Sequence, residues 1–213
     1  TIITTVFNGE KTIEKTIKSV INQSYKNIEY IIVDAYSQDN TLKIINQYKD
    51  FVSKIISEPD KSIYEGMNKG LKSASGEIVG ILNSGDVYYE NALQIINNYF
   101  EKNDNLDFVF GAVQKKKLLY KYEPKKIWWS FNFYPAHSGG FFVKLDNHKE
   151  IGLYDTKYRC SSDYDFFYKL IVKYKKKGSG TQKKEIIAKF DPSGFSSGLT
   201  IFEHMIEETN IRI

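Results

Sequence analysis

Four apolar runs, each followed by a helical pattern or a polar turn, organise the first 86 residues of the chain. The runs, at residues 2–7, 28–33, 52–57 and 78–82, have the length of buried strands. Between the first two, Ile13, Ile17 and Val20 recur at the spacing of an amphipathic helix. Strands that alternate with helices lie side by side and parallel in most folds. The pattern predicts an α/β protein whose mainly parallel central sheet is flanked by helices on both faces.

Beyond residue 86 the alternation gives way to a mixed pattern. Strands are predicted at residues 107–114, 118–122, 139–145 and 185–190, and helices at residues 91–100, 163–174 and 202–208. Ser162 stands where the cap of the second of these helices is expected, and residues 178–180 (Gly-Ser-Gly) predict a flexible loop. Because nothing resembles a linker, residues 1–100 and 101–213 are expected to be two halves of one fused domain that share a continuous sheet.

Composition excludes several classes of protein. The 213 residues are 41% hydrophobic and 26% charged, which is typical of a globular chain rather than a disordered one. A net charge of +4 suits an anionic substrate or an acidic membrane surface, but it is too small to indicate nucleic-acid binding. The single cysteine, Cys160, excludes an internal disulfide and a cysteine-based zinc cluster, which favours a reducing compartment. No apolar run approaches the roughly 20 residues of a membrane span. Since the chain begins at Thr1 inside a predicted strand, we expect its amino terminus to lie further upstream.

Polar residues follow three of the predicted strands. Residues 5–8 close the first strand, Asp34 closes the second and Asp86 follows the fourth. The carboxyl ends of parallel strands border the ligand crevice of an open α/β sheet, so these residues are expected to face one another. An acid there suits a divalent metal held against an anionic ligand such as a diphosphate, although either acid could equally cap the next turn or helix. No dinucleotide fingerprint and no P-loop motif is present.

Four segments resemble the family 2 glycosyltransferases. They read TVFN (residues 5–8), VDAYSQDNT (33–41), EPDKSIYEGMNKG (58–70) and LNSGD (82–86). The last two are especially similar to bacterial transferases that build capsular, O-antigen or colanic-acid-type polysaccharides. The resemblance implies a GT-A fold, with a Rossmann-like nucleotide-binding half joined to an acceptor-binding half.

By position, the resemblance implies a donor site in the first half. Asp34 matches the acid that reads the nucleotide base, and Asp86 matches the last acid of the family's metal-binding motif, which holds Mn²⁺ or Mg²⁺ against the diphosphate. Gly85 stands where many relatives have another acid, so oxygens of Asn83 or Ser84, or water, are expected to complete the metal shell. The remaining nucleotide-binding candidates are Thr5, Phe7, Asn8 and Lys61. Lys61 could equally be a solvated lysine.

The segment YRCSSDYD (residues 158–165) resembles the part of the family that carries the catalytic base. Asp163 matches that base and Asp165 is the alternative. At a helix start the dipole would keep Asp163 ionised, ready to take a proton from an acceptor hydroxyl; otherwise both acids are ordinary first-turn residues. His137 and Ser197 are further candidates to line the acceptor or diphosphate site, the latter in a glycine-bounded loop that could close over it. His148 and His204 are interpreted as surface or packing residues.

A basic and aromatic stretch, with lysines at residues 115–117 and 125–126 and Trp128 and Trp129, indicates peripheral contact with an anionic membrane or, alternatively, a solvated hairpin. A cytoplasmic location, at or near the inner face of the cell membrane, is therefore expected. No oligomeric state is predicted.

The resemblance implies an inverting, metal-dependent transferase. It would move a sugar from a nucleotide sugar, UDP-linked, to a glycan or lipid-linked glycan acceptor during bacterial surface polysaccharide synthesis. One alternative is a relative that binds nucleotide or glycan without turnover, which Gly85 favours. The other is a sugar nucleotidyltransferase, although residues 8–11 lack the glycine-rich, arginine-containing loop of that class.

Overall fold

Two β-sheets form the framework of the computed structural model, which describes residues 1–128, 138–192 and 201–213. The strands are β1 (Ile2–Val6), β2 (Tyr30–Asp34), β3 (Lys54–Ser57), β4 (Ile78–Ile81), β5 (Val87–Tyr88), β6 (Phe108–Phe110), β7 (Ala112–Gln114), β8 (Leu118–Leu119), β9 (Phe141–Lys144), β10 (Gly178–Gly180) and β11 (Ile186–Lys189). The helices are α1 (Ile13–Ile21), α2 (Thr41–Asn46), α3 (Ile63–Ser73), α4 (Ala92–Lys102), α5 (Leu145–Ile151), α6 (Ser162–Tyr168) and α7 (Ile201–Arg212). Short 3₁₀ turns occupy Lys49–Phe51, Pro124–Trp128 and Ser138–Gly140.

Within the described residues, the central sheet has the order β10-β6-β9-β4-β1-β2-β3, and a smaller sheet has the order β5-β11-β7-β8. Strands β4, β1, β2 and β3 run parallel to one another, as the alternating sequence predicts. Among the described strands of the central sheet, β9 alone runs antiparallel to the strands on both sides of it. The prediction of a mainly parallel α/β sheet flanked by helices is therefore confirmed.

The central sheet also joins the two halves of the chain. β9 lies between β4 and β6, with Val79 paired with Val143 and Val109 paired with Phe142. A single cluster of buried apolar side chains extends across both halves, from Ile3 to Phe167 and beyond. The two halves therefore share the central sheet, as predicted. The smaller, second sheet was not predicted from the sequence.

The predicted strand at residues 107–114 is in fact two strands in two different sheets. β6 belongs to the central sheet and β7 to the smaller one, and the chain passes between them at Gly111. A Cβ at Gly111 would lie 2.4 Å from Cγ1 of Ile187, so glycine is required where the two sheets approach. The sequence pattern does not show that the chain passes from one sheet to the other, because β6 and β7 are both apolar.

Residues 178–180 form strand β10, so the predicted flexible loop is wrong. Gly178 pairs with Phe108 at the edge of the central sheet. A Cβ on Gly178 would lie 2.1 Å from the Phe108 ring, so the glycine allows that ring to pack over the neighbouring strand. The glycines that suggested a loop instead allow a strand to pack closely against its neighbour.

Helix α6 also differs from its prediction. Ser161, rather than Ser162, holds the cap position, and its side chain makes no capping hydrogen bond. The helix ends at Tyr168 and continues as a π-helical turn over Lys169–Lys173. Tyr164, Phe167 and Leu170 are buried as the apolar stripe predicts.

Candidate functional site

A cleft of about 1300 Å³ opens at the carboxyl ends of the parallel strands and receives residues from both halves of the chain. Its lining residues come from the ends of β1 and β4 and from the turn after β3. Further lining residues come from the start of α6, from α7 and from the segment after β7. A cleft at the strand ends of an open α/β sheet is the expected location of a ligand.

The end of β1 forms one wall of the cleft through Thr5, Phe7 and Asn8. Asn8 has a left-handed backbone (φ 47°), which turns the chain, and its side-chain oxygen accepts a hydrogen bond of 2.8 Å from the amide of Gln38. Phe7 is 63% exposed at this wall, which leaves its ring free to stack on a planar ligand. Thr5, Phe7 and Asn8 therefore line the cleft at the end of the first strand, and their contact with a nucleotide stays a prediction.

Asp34 does not reach the cleft surface. It is fully buried at the tip of β2, and it is not among the described residues that line the cleft. Its carboxylate accepts hydrogen bonds from the Ser57 hydroxyl at 2.7 Å and from the Ser37 amide. In this arrangement it orders the loop after β2, which is the capping alternative. The acid of that loop that does line the cleft is Asp39, which accepts a hydrogen bond of 3.1 Å from the amide of Glu10.

Asp86 lies in the cleft beside a second acid, Asp191, which the sequence did not point to. The Asp191 amide donates a hydrogen bond of 2.9 Å to Oδ1 of Asp86, and the Asp191 carboxylate forms an ion pair with Lys15. Burial raises the pKa of Asp86 to about 7, and the negative charge of Asp191 adds to that rise while Lys115 and Lys15 oppose it. A ligand that brings positive charge to this position would hold Asp86 ionised.

The donor atoms around Asp86 fit a hard divalent cation. No group of three or more potential metal-binding side chains occurs in the part of the chain that the structure describes. The adjacent carboxylates of Asp86 and Asp191 nevertheless provide the oxygen donors that Mg²⁺ and Mn²⁺ prefer, and both ions commonly take their other ligands from phosphate and water. The oxygens of Asn83 and Ser84 are already hydrogen-bonded to Thr5 and Thr12 at 2.8 and 2.9 Å. Asp191 is therefore better suited than those two residues to complement Asp86.

Asp163 faces the cleft from the first turn of α6. Its Oδ1 accepts a hydrogen bond of 2.9 Å from the backbone amide of Tyr164 and one of 3.3 Å from the Tyr64 hydroxyl. Burial, followed by the charge of Asp163, raises the pKa of Tyr64 well above its ordinary value, so the phenol is a neutral donor. Asp165, the alternative base, is paired with Lys169 at 2.6 Å and is not among the described lining residues. The structure thus presents Asp163, and not Asp165, to a ligand.

The segment that leads into α6 is held by α7. The Glu207 carboxylate accepts hydrogen bonds from the amides of Arg159, Cys160 and Ser161 at 2.7, 3.0 and 2.9 Å. The thiol of Cys160 also lines the cleft, but burial raises its pKa to about 12, so it remains protonated and is no nucleophile at neutral pH. His204, interpreted from the sequence as a surface or packing residue, is another lining residue from α7. His148 is a packing residue, stacked on Phe166 with 4.1 Å between ring centroids.

The sequence candidates that remain are Lys61, His137 and Ser197. Lys61 is exposed and lines the cleft. His137 and Ser197 lie outside the described residues. Asp191, Lys115 and Tyr64 were missed as site residues, because each belongs to a segment that the sequence assigned to a strand end, a surface patch or a helix core. No local pattern distinguishes them.

The basic stretch predicted to contact a membrane is not one continuous patch. Lys115 lines the cleft, whereas Lys116 and Lys117 are exposed. Trp128 is 57% exposed and makes an edge contact with Tyr168, while Trp129 lies outside the described residues. Among the described helices, none combines the length and the apolarity that crossing a bilayer requires.

Comparison with known proteins places this geometry in a family. The chain is 39% identical over 52% of its length to TarP, a poly(ribitol-phosphate) β-N-acetylglucosaminyltransferase of Staphylococcus aureus, and 34% identical over 52% of its length to WfgD, a UDP-Glc:α-D-GlcNAc-diphosphoundecaprenol β-1,3-glucosyltransferase of Escherichia coli. It spans 35% and 44% of those two relatives. It spans 58% of an uncharacterized glycosyltransferase of Rickettsia typhi, to which it is 29% identical over 80% of its own length.

The fold has a close counterpart among solved structures. A fragment of S. aureus TarS in complex with UDP-GlcNAc superposes with a TM-score of 0.74 at 15% sequence identity, over 99% of this chain and 65% of that one. This likeness confirms the GT-A fold. The model of the family described as "Glycosyl transferase family 2" matches residues 1–180, which is most of the chain. The protein therefore belongs to glycosyl transferase family 2.

Proposed function

We propose that the protein transfers a sugar from a nucleotide sugar, UDP-linked, to a glycan or lipid-linked glycan acceptor in bacterial surface polysaccharide synthesis. The observation that carries this proposal is the cleft itself, in which Asp86 of the first half and Asp163 of the second half line one cavity. Such an arrangement gives a charged ligand two separate poles, one suited to a leaving group and one to an attacking group. It is compatible with a single displacement at the anomeric carbon of the sugar.

The names of relatives support the substrate classes. WfgD is named for transfer of glucose from UDP-glucose to a diphosphoundecaprenol-linked sugar, and TarP for transfer of N-acetylglucosamine to poly(ribitol-phosphate). The TarS complex contains UDP-GlcNAc. These names favour a UDP-linked donor and an acceptor that belongs to a bacterial surface polymer or to its lipid-linked precursor.

The donor end of the cleft holds the nucleotide diphosphate. Thr5, Phe7 and Asn8 contact the nucleoside, and Asp86 together with Asp191 would hold a divalent cation, Mn²⁺ or Mg²⁺. When bound, that cation would neutralise the charge that builds on the departing diphosphate. Lys61 at the rim adds a further positive charge toward the phosphates.

The acceptor end performs the proton transfer. Asp163 takes the proton of the acceptor hydroxyl as its oxygen attacks the anomeric carbon from the face opposite the diphosphate. The Tyr64 hydroxyl and the Tyr164 amide, both bonded to Oδ1, fix the direction of the carboxylate. One displacement inverts the configuration of the sugar, so the product is expected to have the opposite anomeric configuration to the donor.

A screen of nucleotide sugars for transfer and for diphosphate release tests the proposal. Asp163→Asn is expected to lower turnover by about 10²- to 10⁴-fold, the usual contribution of a general base, while UDP affinity is retained. Asp146→Asn, an exposed acid on α5 paired with Lys149, is the matched control and should keep full activity. Proton NMR of the product reports the anomeric configuration.

Three outcomes would contradict the proposal in different ways. Full activity of Asp163→Asn would remove that residue from the role of base. Retention of configuration in the product would exclude the single displacement. Nucleotide binding without turnover of any donor would favour the relative that binds without catalysis.

A further inference from the structure

Lys115 places an ammonium group inside the cleft rather than on the surface. Lys115 directly follows Gln114, the last residue of β7. The backbone amide of Phe190 donates a hydrogen bond of 2.9 Å to the carbonyl of Gln114. The Lys115 ammonium lies 4.2 Å from the centroid of the Phe190 ring. Its neighbours in sequence, Lys116 and Lys117, are exposed to solvent. Of these three lysines, Lys115 is therefore the one that lines the cleft.

In the described part of the chain, the Lys115 ammonium makes no direct contact with an anion. Across residues 1–128, 138–192 and 201–213, its ammonium takes part in no hydrogen bond or ion pair, and its contact is with the face of an aromatic ring. Lys15, the other cation near Asp86, is paired with Asp191. A partly buried ammonium group without an anion costs desolvation free energy, which a bound anion would recover.

Lys115 also lies within electrostatic reach of both acidic poles. Burial lowers the pKa of Lys115, and the carboxylates of Asp86 and Asp163 partly offset that change. Lys115, Asp86 and Asp163 line the same cleft, so the ammonium shares that cleft with the proposed leaving-group site and the proposed base. In a displacement reaction, the bond between the anomeric carbon and the phosphate oxygen breaks in that region.

We infer that Lys115 binds the diphosphate of the donor and stabilises it as the leaving group, an inference that rests on the proposed function. The anion that it recognises is a nucleoside diphosphate, through phosphate oxygens rather than through the base. The ammonium donates hydrogen bonds to those oxygens and adds a fixed positive charge to that of the divalent cation. In this chain, where Gly85 replaces an acid, the protein thus contributes its own cation to the phosphate site.

Calorimetric titration in the presence of Mg²⁺ tests the inference with UDP, inorganic pyrophosphate and uridine. Lys115→Met keeps the aliphatic stem that covers Phe190 and removes the charge, and Lys116→Met is the matched control. Lys115→Met is expected to weaken UDP and pyrophosphate about 10-fold or more, as for the loss of a hydrogen bond to a charged group, and to leave uridine affinity unchanged. Lys116→Met should bind all three like the wild type.

The outcomes separate this inference from the proposed function. Equal UDP affinity of Lys115→Met and the wild type would overturn the role of Lys115 even if the enzyme is active. If the wild type bound pyrophosphate but not UDP, and Lys115→Met lost that binding, the phosphate role would stand while the nucleotide donor would be excluded. Absence of binding to either anion by the wild type would overturn both.

A second variant guards against loss of folding. Lys115→Arg retains the charge and is expected to recover most of the UDP affinity that Lys115→Met loses. Thermal unfolding of each variant shows whether the fold is intact. If Lys115→Arg were as weak as Lys115→Met although both are folded, the charge of the side chain would not be what binds the diphosphate.

Discussion

At the scale of single residues, the most informative position is Gly85, where many members of the family have an acid. Its backbone has φ of +103°, a conformation that side chains rarely adopt. A Cβ there would lie 3.2 Å from Cβ of Asp191 and 3.4 Å from its Oδ2. The side chain of Asp191, which follows β11 more than a hundred residues later, therefore lies beside the position that a side chain at residue 85 would take.

Gly85→Ala is expected to lower the free energy of unfolding, because it adds backbone strain and also pushes against Asp191. Gly152→Ala is a matched control, since Gly152 has a similar φ of +110° but nothing within 4 Å of its added Cβ. Each substitution should cost on the order of 1–3 kcal/mol in urea unfolding, and Gly85→Ala should cost more. Equal losses in the two variants would mean that Asp191 does not fill the space beside Gly85.

At the scale of secondary structure, α7 positions the segment that leads to the candidate base, Asp163. The residue of α7 that does this, Glu207, is not among the described residues that line the cleft. Glu207 accepts three backbone hydrogen bonds from the segment that leads into α6. Burial acts to raise the pKa of Glu207, but those hydrogen bonds outweigh it and hold the pKa below its ordinary value. The carboxylate is thus ionised at neutral pH, and α7 fixes the direction in which α6 begins.

Glu207→Ala is expected to destabilise the protein by roughly 1–3 kcal/mol, since three backbone amides, two of them part-buried, lose their acceptor. It should also lower the rate of sugar transfer at unchanged UDP affinity, because Asp163 is less well oriented. Urea unfolding, turnover and calorimetry measure the three quantities. Glu203→Ala, which removes an exposed partner of Arg159, should cost only about 0–1 kcal/mol. If both substitutions had the same small effect, α7 would have no positioning role.

At the scale of the whole molecule, the halves of the chain share one sheet and one core. β4 of the first half lies between β1 and β9, and β9 comes from the second half. Removing the second half would expose the edge of β4 and the apolar faces that pack against Phe142 and Val143. The boundary near residue 100 therefore divides roles in ligand binding rather than units of folding.

Unfolding is expected to follow a single cooperative transition when circular dichroism and tryptophan fluorescence are compared in urea, because the core is continuous. A fragment of residues 1–100 should lack a sigmoidal transition, whereas the full chain retains one. Two separate transitions in the full chain, or cooperative unfolding of the fragment, would show that the first half is an independent domain.

The sequence by itself determined the α/β class, the parallel order of the first strands and the location of Asp86 in the cleft. These follow from local information, because period and length define strands and helices, and the carboxyl ends of parallel strands meet at one edge. The tertiary structure alone decided that Asp34 is buried, that β6 and β7 belong to different sheets and that residues 178–180 form a strand. It also brought Asp191 and Lys115 to Asp86, and no local pattern records such contacts, because they depend on how separate segments pack after the chain has folded.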